Sequence, residues 1–320
     1  MKPPYDITNA ILKLISSISE KIGEVNATFL NKPSPQLRKQ NRVKTIHSSL
    51  QIEGNTLSES QITALIENKR VVGQEKDILE VINAISVYDK LNQFDFTSAK
   101  SFLAAHKQLM EKLILSAGKY RNQSVGIVQG NKVEHLAPPF ENVPFLMNEL
   151  FDYLADPDEL CIIKSCVFHY EMEFIHPFID GNGRMGRLWQ TLILISEYPI
   201  FEFLPFETLI SKKQSEYYEA LRIADKSGKS TFFIEFMLSV INESLRELIN
   251  STRKKLTDED RLAYFISLGK RQFTRKEYLS VFKDMSTATA SRDLKKGVEL
   301  KLISCVGKLN KTIYFIHSTE

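Results

Sequence analysis

A mainly α-helical protein with one small β-hairpin and a compact α+β module at its C-terminus is the fold class the sequence predicts. Three observations predict it. Apolar residues recur at 3-and-4 spacing in block after block between residues 7 and 249, two short apolar runs flank a Gly-Asn turn within 125–136, and past residue 270 two helical patterns precede two strand patterns. Composition agrees: 320 residues, 42 Lys and Arg against 39 Asp and Glu for a net charge of +3, 43% hydrophobic and 25% charged. Those values exclude disordered, collagen-like and coiled-coil chains, and the length exceeds what one core usually serves, so two or three domains are expected.

The first helix is read from Ile7, Ile11, Leu14, Ile15, Ile18, Ile22 and Val25, which share one helical face, and Pro33 and Pro35 close it. A second runs from 36 to about 51 and stops at Glu53-Gly54-Asn55. Ser58-Glu59-Ser60-Gln61 has the spacing of a capping box, with Leu57 and Ile62 placed as a hydrophobic staple, so a third helix starts there. Helical patterns follow at 76–91, 98–113, 143–154, 160–175, 184–196, 211–226 and 231–249. The interruption at 125–128 and 133–136, around Gly130 and Asn131, predicts the hairpin.

A charge-dense stretch at 253–260 reads as a linker or a helix junction rather than core, which puts a boundary near 255. Beyond it, helices at 274–281 and 286–300 and strands at 302–306 and 312–316 give the helix, helix, hairpin order of a winged helix. Cys161, Cys166 and Cys305 are too few and too scattered for a disulfide framework or a structural zinc site. Residues 1–9 lack the apolar region of a signal peptide, and the longest apolar runs, at 192–195 and 232–241, fall well short of the roughly eighteen residues that span a bilayer. A cytoplasmic chain without a membrane segment is expected.

The chemistry concentrates in His176-Pro177-Phe178-Ile179-Asp180-Gly181-Asn182-Gly183-Arg184-Met185-Gly186-Arg187. Gly181, Gly183 and Gly186 satisfy the dinucleotide spacing GxGxxG, with Glu202 near the place of the ribose acid, but they follow a helical pattern and His-Pro rather than a buried strand. The segment instead assembles the parts of a phosphate site. Gly181 and Gly183 let backbone N–H groups approach an anion at a helix N-terminus, Arg184 and Arg187 offer forked donors, Asp180 is a hard ligand suited to Mg²⁺ shared with phosphates, and His176 can take a proton. His169 does not stand in an HExxH pattern and reads as a packed helix residue, and His47, His106, His135 and His317 lack ligand spacing.

All nine specified positions of this segment resemble the signature of the Fic family, HPFx[D/E]GNGRxxR. The resemblance implies a Fic helical core that uses Mg²⁺ and ATP to transfer AMP to a Ser, Thr or Tyr hydroxyl of a target protein or of itself. By it His176 is the general base, Asp180 the Mg²⁺ ligand, Asn182 and the backbone of Gly181 to Gly183 the anion hole for the α-phosphate, and Arg184 and Arg187 phosphate contacts. Ser49-Leu50-Gln51-Ile52-Glu53-Gly54 resembles the family's inhibitory motif [S/T]xxxE[G/N], which implies that Glu53 pairs with Arg187 and obstructs the γ-phosphate. The hairpin at Gly130 and Asn131 resembles the flap that holds a target segment, and Tyr218 is implied near the nucleotide base, although Tyr217-Tyr218 read alone is core packing.

The expected organisation is a helical region with the inhibitory motif at 1–95, the catalytic core at 96–255 and the winged helix at 256–320. Between 270 and 311 eleven Lys and Arg stand against four acids, and 286–294 reads as a recognition helix with Arg292 and Lys295 placed for phosphates, so DNA is a candidate partner. A homodimer is another, and a membrane is not. Two rival functions stay open: a DNA-binding regulator whose core only senses nucleotide, and an enzyme that also removes AMP.

Overall fold

The computed structural model describes residues 2–28, 35–129, 132–253, 258–268, 270–282, 285–307 and 312–316. The chain divides into two compact units, Met1–Ile249 and Asn250–Glu320. The first holds helices α1 (Asn9–Thr28), α2 (Pro35–Ile52), α3 (Glu59–Ile66), α4 (Glu75–Asp89) and α5 (Ala99–Leu109), then the antiparallel pair β1 (Gly126–Gln129) and β2 (Lys132–Leu136). It continues through α6 (Val143–Leu154), α7 (Cys161–Ile175), α8 (Asn182–Glu197), α9 (Glu207–Lys212) and α10 (Gln214–Ser227), and α11 (Thr231–Arg253) closes it.

Local chemistry sets several of these bounds. At the start of α3 the Ser58 side chain accepts from the Gln61 N–H while the Gln61 side chain accepts from the Ser58 N–H, the reciprocal cap its sequence predicts, and Leu57 and Ile62 are both buried. The pattern expected as one helix at 211–226 is two, α9 and α10, broken at Lys213. The charged run expected as a linker or a helix junction contains a helix start. Asp258, Glu259 and Asp260 form the first turn of α12 (Asp258–Ser267), where negative charge complements the exposed N–H groups.

One apolar core runs from Ile11 to Ile249, so the helices before residue 96 share it with those after. Helix α8 is its axis: every residue from Arg184 to Leu194 is buried. Trp189 packs edge-on against Phe102 at 5.0 Å and donates its indole N–H to Phe96 O at 3.0 Å. Helix α7 lies against α8 at Gly186, where a Cβ would come within 2.7 Å of His169 Cδ2. A helix buried on all sides offers the solvent only its ends, and the N-terminal end of α8 is where the chemistry-bearing segment lies.

The second unit adds β3 (Gln272–Thr274), α13 (Arg275–Val281), α14 (Thr287–Glu299), β4 (Ile303–Val306) and β5 (Ile313–Ile316) to α12, with antiparallel strand order β3, β5, β4. Neither α12 nor β3 was signalled by the sequence. A three-residue strand is too short to show alternation, and it exists because β5 pairs with it at Gln272, Phe273 and Thr274. Leu262, Phe265, Phe273, Tyr278, Ala290, Leu294 and Ile303 make this unit's own core. Asp293, 1% exposed, ties it together: both carboxylate oxygens accept from Arg261, at 2.6 and 2.8 Å, and one also accepts from the Tyr278 hydroxyl at 3.1 Å. Removing one partner of a buried pair leaves the other charge uncompensated, so Asp293→Ala is expected to destabilise this unit by about 3 kcal/mol. Calorimetric melting of the full chain checks this, since the transition of the second unit should fall and that of the first should not.

Candidate active site

Helix α7 ends at His176, which adopts a left-handed conformation with φ 50° and ψ 58°. Pro177 cannot continue a helix, and the chain crosses to α8 through Gly181, also left-handed at φ 88°, where a Cβ would meet Met110 Sδ at 2.8 Å. Asn182 closes this loop on itself: its Oδ1 accepts from Phe178 N and its Nδ2 donates to Phe178 O, both at 2.9 Å. The Asn182 amide oxygen and one of its two Nδ2 N–H groups are therefore occupied within the loop.

His106 braces the loop from α5. Its Nδ1 accepts from Gly118 N at 2.9 Å, which places the ring proton on Nε2, 3.0 Å from Asp180 O. The ring lies flat on Phe178, with centroids 3.5 Å apart. Burial pushes its pKa down to about 4, so it is neutral at physiological pH. His169 is likewise neutral, pushed to about 3 by burial and held between Gln190 Oε1 at 2.7 Å and the Tyr217 hydroxyl at 3.0 Å, the packed residue its sequence context suggested.

The two arginines of α8 are both committed. Arg184, 5% exposed, reaches Glu80 Oε1 on α4 at 3.1 Å and Asp180 Oδ1 at 2.7 Å, and Asp180 Oδ1 also accepts from Gly181 N at 2.6 Å. Arg187 is wholly buried and donates to Ser49 Oγ at 3.1 Å, Ser49 O at 2.9 Å and Glu53 Oε1 at 2.7 Å. Burial alone would lower its pKa, but the Glu53 carboxylate, aided by Tyr217 and Glu173, outweighs burial and holds the guanidinium charged. Asn55 donates to Glu80 Oε2 at 2.8 Å, so the segment just past α2 is wired to both arginines, one directly and one through Glu80.

Glu53 stands on top of Gly183. A Cβ at Gly183 would collide with Glu53 Oε1 and would lie 3.0 Å from Arg187 Nη1 and 3.3 Å from Glu173 Oε1. A carboxylate thus covers the first turn of α8, whose initial N–H groups have no acceptor within the helix. His176 stands at the other side of the loop, with Nδ1 3.4 Å from Glu173 O; a proton on that nitrogen leaves the lone pair on Nε2. Tyr218 on α10 is 48% exposed, and its phenol is raised by burial first and by the Glu53 charge second. Gly130 and Asn131 lie outside the described residues; the strands on either side of them pair antiparallel with a bulge between Ile127 and Val128.

The fit to Mg²⁺ follows from the donor set. No group of three His, Cys, Asp or Glu side chains able to hold a metal occurs among the described residues. Asp180, with 44% of its side chain exposed, is a single hard carboxylate in the loop, which suits an ion that takes its other ligands from phosphates and water.

Sequence reasoning missed Glu80, Asn55 and His106. They lie up to 104 residues from their partners, and no local pattern marks them.

Residues 96–194 match the model of the Fic/DOC family. Over its whole length the chain is 37% identical to a Fic family protein from Desulfovibrio desulfuricans G20, covering 99% of that structure with a TM-score of 0.78. It is 25% identical over 270 residues to protein adenylyltransferase fic-1 of Caenorhabditis elegans and 28% identical over 261 residues to protein adenylyltransferase Fic of Nematostella vectensis. Those alignments cover 78% and 76% of this chain but 51% and 58% of the relatives, so the chain spans a little over half the length of the curated relatives it matches.

The His106 ring is expected to stay neutral, with its proton on Nε2, down to about pH 5. An unfolded ring binds a proton near pH 6.5 and the folded one only near 4, so this group subtracts stability as pH falls through that interval. Ring ¹⁵N shifts measure it, and titration near 6.5 in the folded chain contradicts the brace.

Proposed function

Because the chain belongs to the Fic family, we propose that it is a protein adenylyltransferase that moves AMP from ATP to a hydroxyl of a target protein, and that its own Glu53 restrains it. The observation that carries this reading is the seat above Gly183. An anion site built from a helix N-terminus and a buried arginine is filled by a carboxylate from a segment 134 residues away.

In this reading the target hydroxyl attacks the α-phosphorus as its proton passes to His176 Nε2. The bond from phosphorus to the bridging oxygen breaks, and pyrophosphate leaves. The first N–H groups of α8 receive the α-phosphate oxygens, and Arg187 receives the γ-phosphate once Glu53 withdraws. Asp180 would hold Mg²⁺, which supplies charge neutralisation on the phosphates when bound. Arg184, fixed between Glu80 and Asp180, keeps that carboxylate aimed. Tyr218, half exposed, flanks the base of the nucleotide. The hairpin β1–β2 holds the target segment by strand addition.

The test is substitution with radiolabelled ATP. Glu53→Gly should raise self-modification at least about tenfold, since the seat then admits the γ-phosphate in the productive pose. Arg187→Ala should not gain, and the double variant should behave as Arg187→Ala alone. His176→Ala in the Glu53→Gly background should lose about 10² or more in transfer with nucleotide affinity kept. Wild-type activity in Glu53→Gly at all ATP concentrations contradicts the restraint.

A second reading takes the C-terminal unit as a winged helix that contacts DNA, which its order of helices and strands supports. Thr287 and Ala288 are exposed at the start of α14, Thr289 is half-buried, Arg292 and Lys295 are exposed beyond them, and the one acid between these two, Asp293, is buried and held by Arg261. That leaves a small, positively charged face suited to a groove. Binding should weaken steeply with salt, by close to one unit of log–log slope per phosphate contacted. A flat salt response, or no binding at low salt, returns the unit to a packing role. No helix among the described residues is long and apolar enough to cross a membrane.

A further inference from the structure

Arg121, between α5 and β1, carries none of the roles assigned above, yet it is 3% exposed. Its guanidinium donates to four main-chain carbonyls: Nε to His176 O at 2.8 Å, Nη1 to Gln123 O at 3.0 Å, and Nη2 to Pro138 O at 2.5 Å and Ile175 O at 3.3 Å. Its own backbone N–H donates to Pro177 O at 2.8 Å. One residue therefore grips three successive carbonyls, at 175, 176 and 177.

Those carbonyls belong to the peptide planes on both sides of the His176 Cα. Fixing both planes fixes φ and ψ, and with them the direction in which the imidazole leaves the backbone. His176 needs such a grip, because a left-handed residue with a side chain persists only where its surroundings over-determine it. The cation also sits at the C-terminal end of α7, where its charge meets the negative end of the helix dipole. The other two carbonyls, of Gln123 and Pro138, flank the hairpin 126–136 on its two sides. The guanidinium thus joins the root of the hairpin to the backbone of the proton acceptor.

We propose that Arg121 is a positioning residue that holds His176 in its left-handed conformation and sets the distance between the hairpin and the imidazole, so that a hydroxyl carried along the hairpin meets Nε2. This rests on the AMP-transfer reading of His176 and the hairpin. Lysine cannot substitute, since three donors around one nitrogen do not span carbonyls arranged around a planar fork.

The experiment uses the full chain with Arg121→Lys, and Arg121→Gln as a second variant should the first fail to fold. The first readout is independent of turnover. With ¹⁵N-histidine labelling, the His176 ring signal should shift or split while that of His47 stays in place, and an unmoved His176 signal overturns the proposal. The second is kinetic, in the Glu53→Gly background: kcat for self-modification should fall about 10- to 100-fold while KM for ATP changes less than about twofold. A merely structural role predicts a loss equal to the unfolded fraction in a melting curve, and that result, or an equal change in KM, also overturns it. Added to His176→Ala, Arg121→Lys should cost nothing further, and an additive loss contradicts action through His176. If Glu53→Gly itself transfers no AMP, the AMP-transfer reading fails and the ring signal alone decides on Arg121.

Discussion

Arg187 is a cation with no exposed surface, and the arrangement around it follows from the need to neutralise it. A buried guanidinium without an anion costs several kcal/mol, so something negative has to reach it. Here the end of α2 delivers Glu53, and Ser49 one turn earlier supplies two further acceptors. The same requirement makes the arginine a good receptor for a phosphate. A residue that must be paired can exchange one anion for another of suitable shape at modest net cost, which is the physical basis of the restraint proposed for Glu53. Glu53 is the more accessible partner of the pair, with 29% of its side chain exposed while Arg187 is sealed.

The second arginine shows how such a site is kept rigid. A line of hydrogen bonds runs from Asn55 through Glu80, Arg184 and Asp180, and Asp180 is joined through its own carbonyl to His106 and so to Gly118. Helix α8 organises it: Arg187 lies three positions after Arg184, so one helix end directs one arginine toward α4 and the other toward α2. Because α8 is buried along its length, its N-terminus is held by the core of the whole unit. Two glycines complete the arrangement, Gly181 by its left-handed turn and Gly183, in the first turn of α8, by leaving room for the Glu53 carboxylate above the helix.

Much of this was legible in the sequence wherever the determining physics is local. The 3-and-4 spacing gave most helices of the first unit to within a few residues, the Ser58 to Gln61 cap gave the start of α3, and the glycines of 181–183 gave the start of α8. What was not legible is set by distance along the chain or by competing local signals. His106 looked unremarked because its partners, Gly118 and Asp180, are settled by packing, and the same holds for Glu80 and Asn55. Acidic residues at 258–260 left linker and helix junction both open because the same charges suit a solvated coil and a helix N-terminus. Strand β3 draws its order from β5 rather than from its own three residues.

The most direct test of the account is a pair of crystal structures of the full chain with Mg²⁺ and a non-hydrolysable ATP analogue, one wild type and one Glu53→Gly. With the carboxylate in place the γ-phosphate should lie away from Arg187. In the variant it should sit on the Arg187 guanidinium, with the α-phosphate over the first turn of α8 and within reach of His176. A wild-type structure in which Glu53 keeps its bond to Arg187 while the phosphates adopt the same pose as in the variant would contradict the claim that one seat serves both anions.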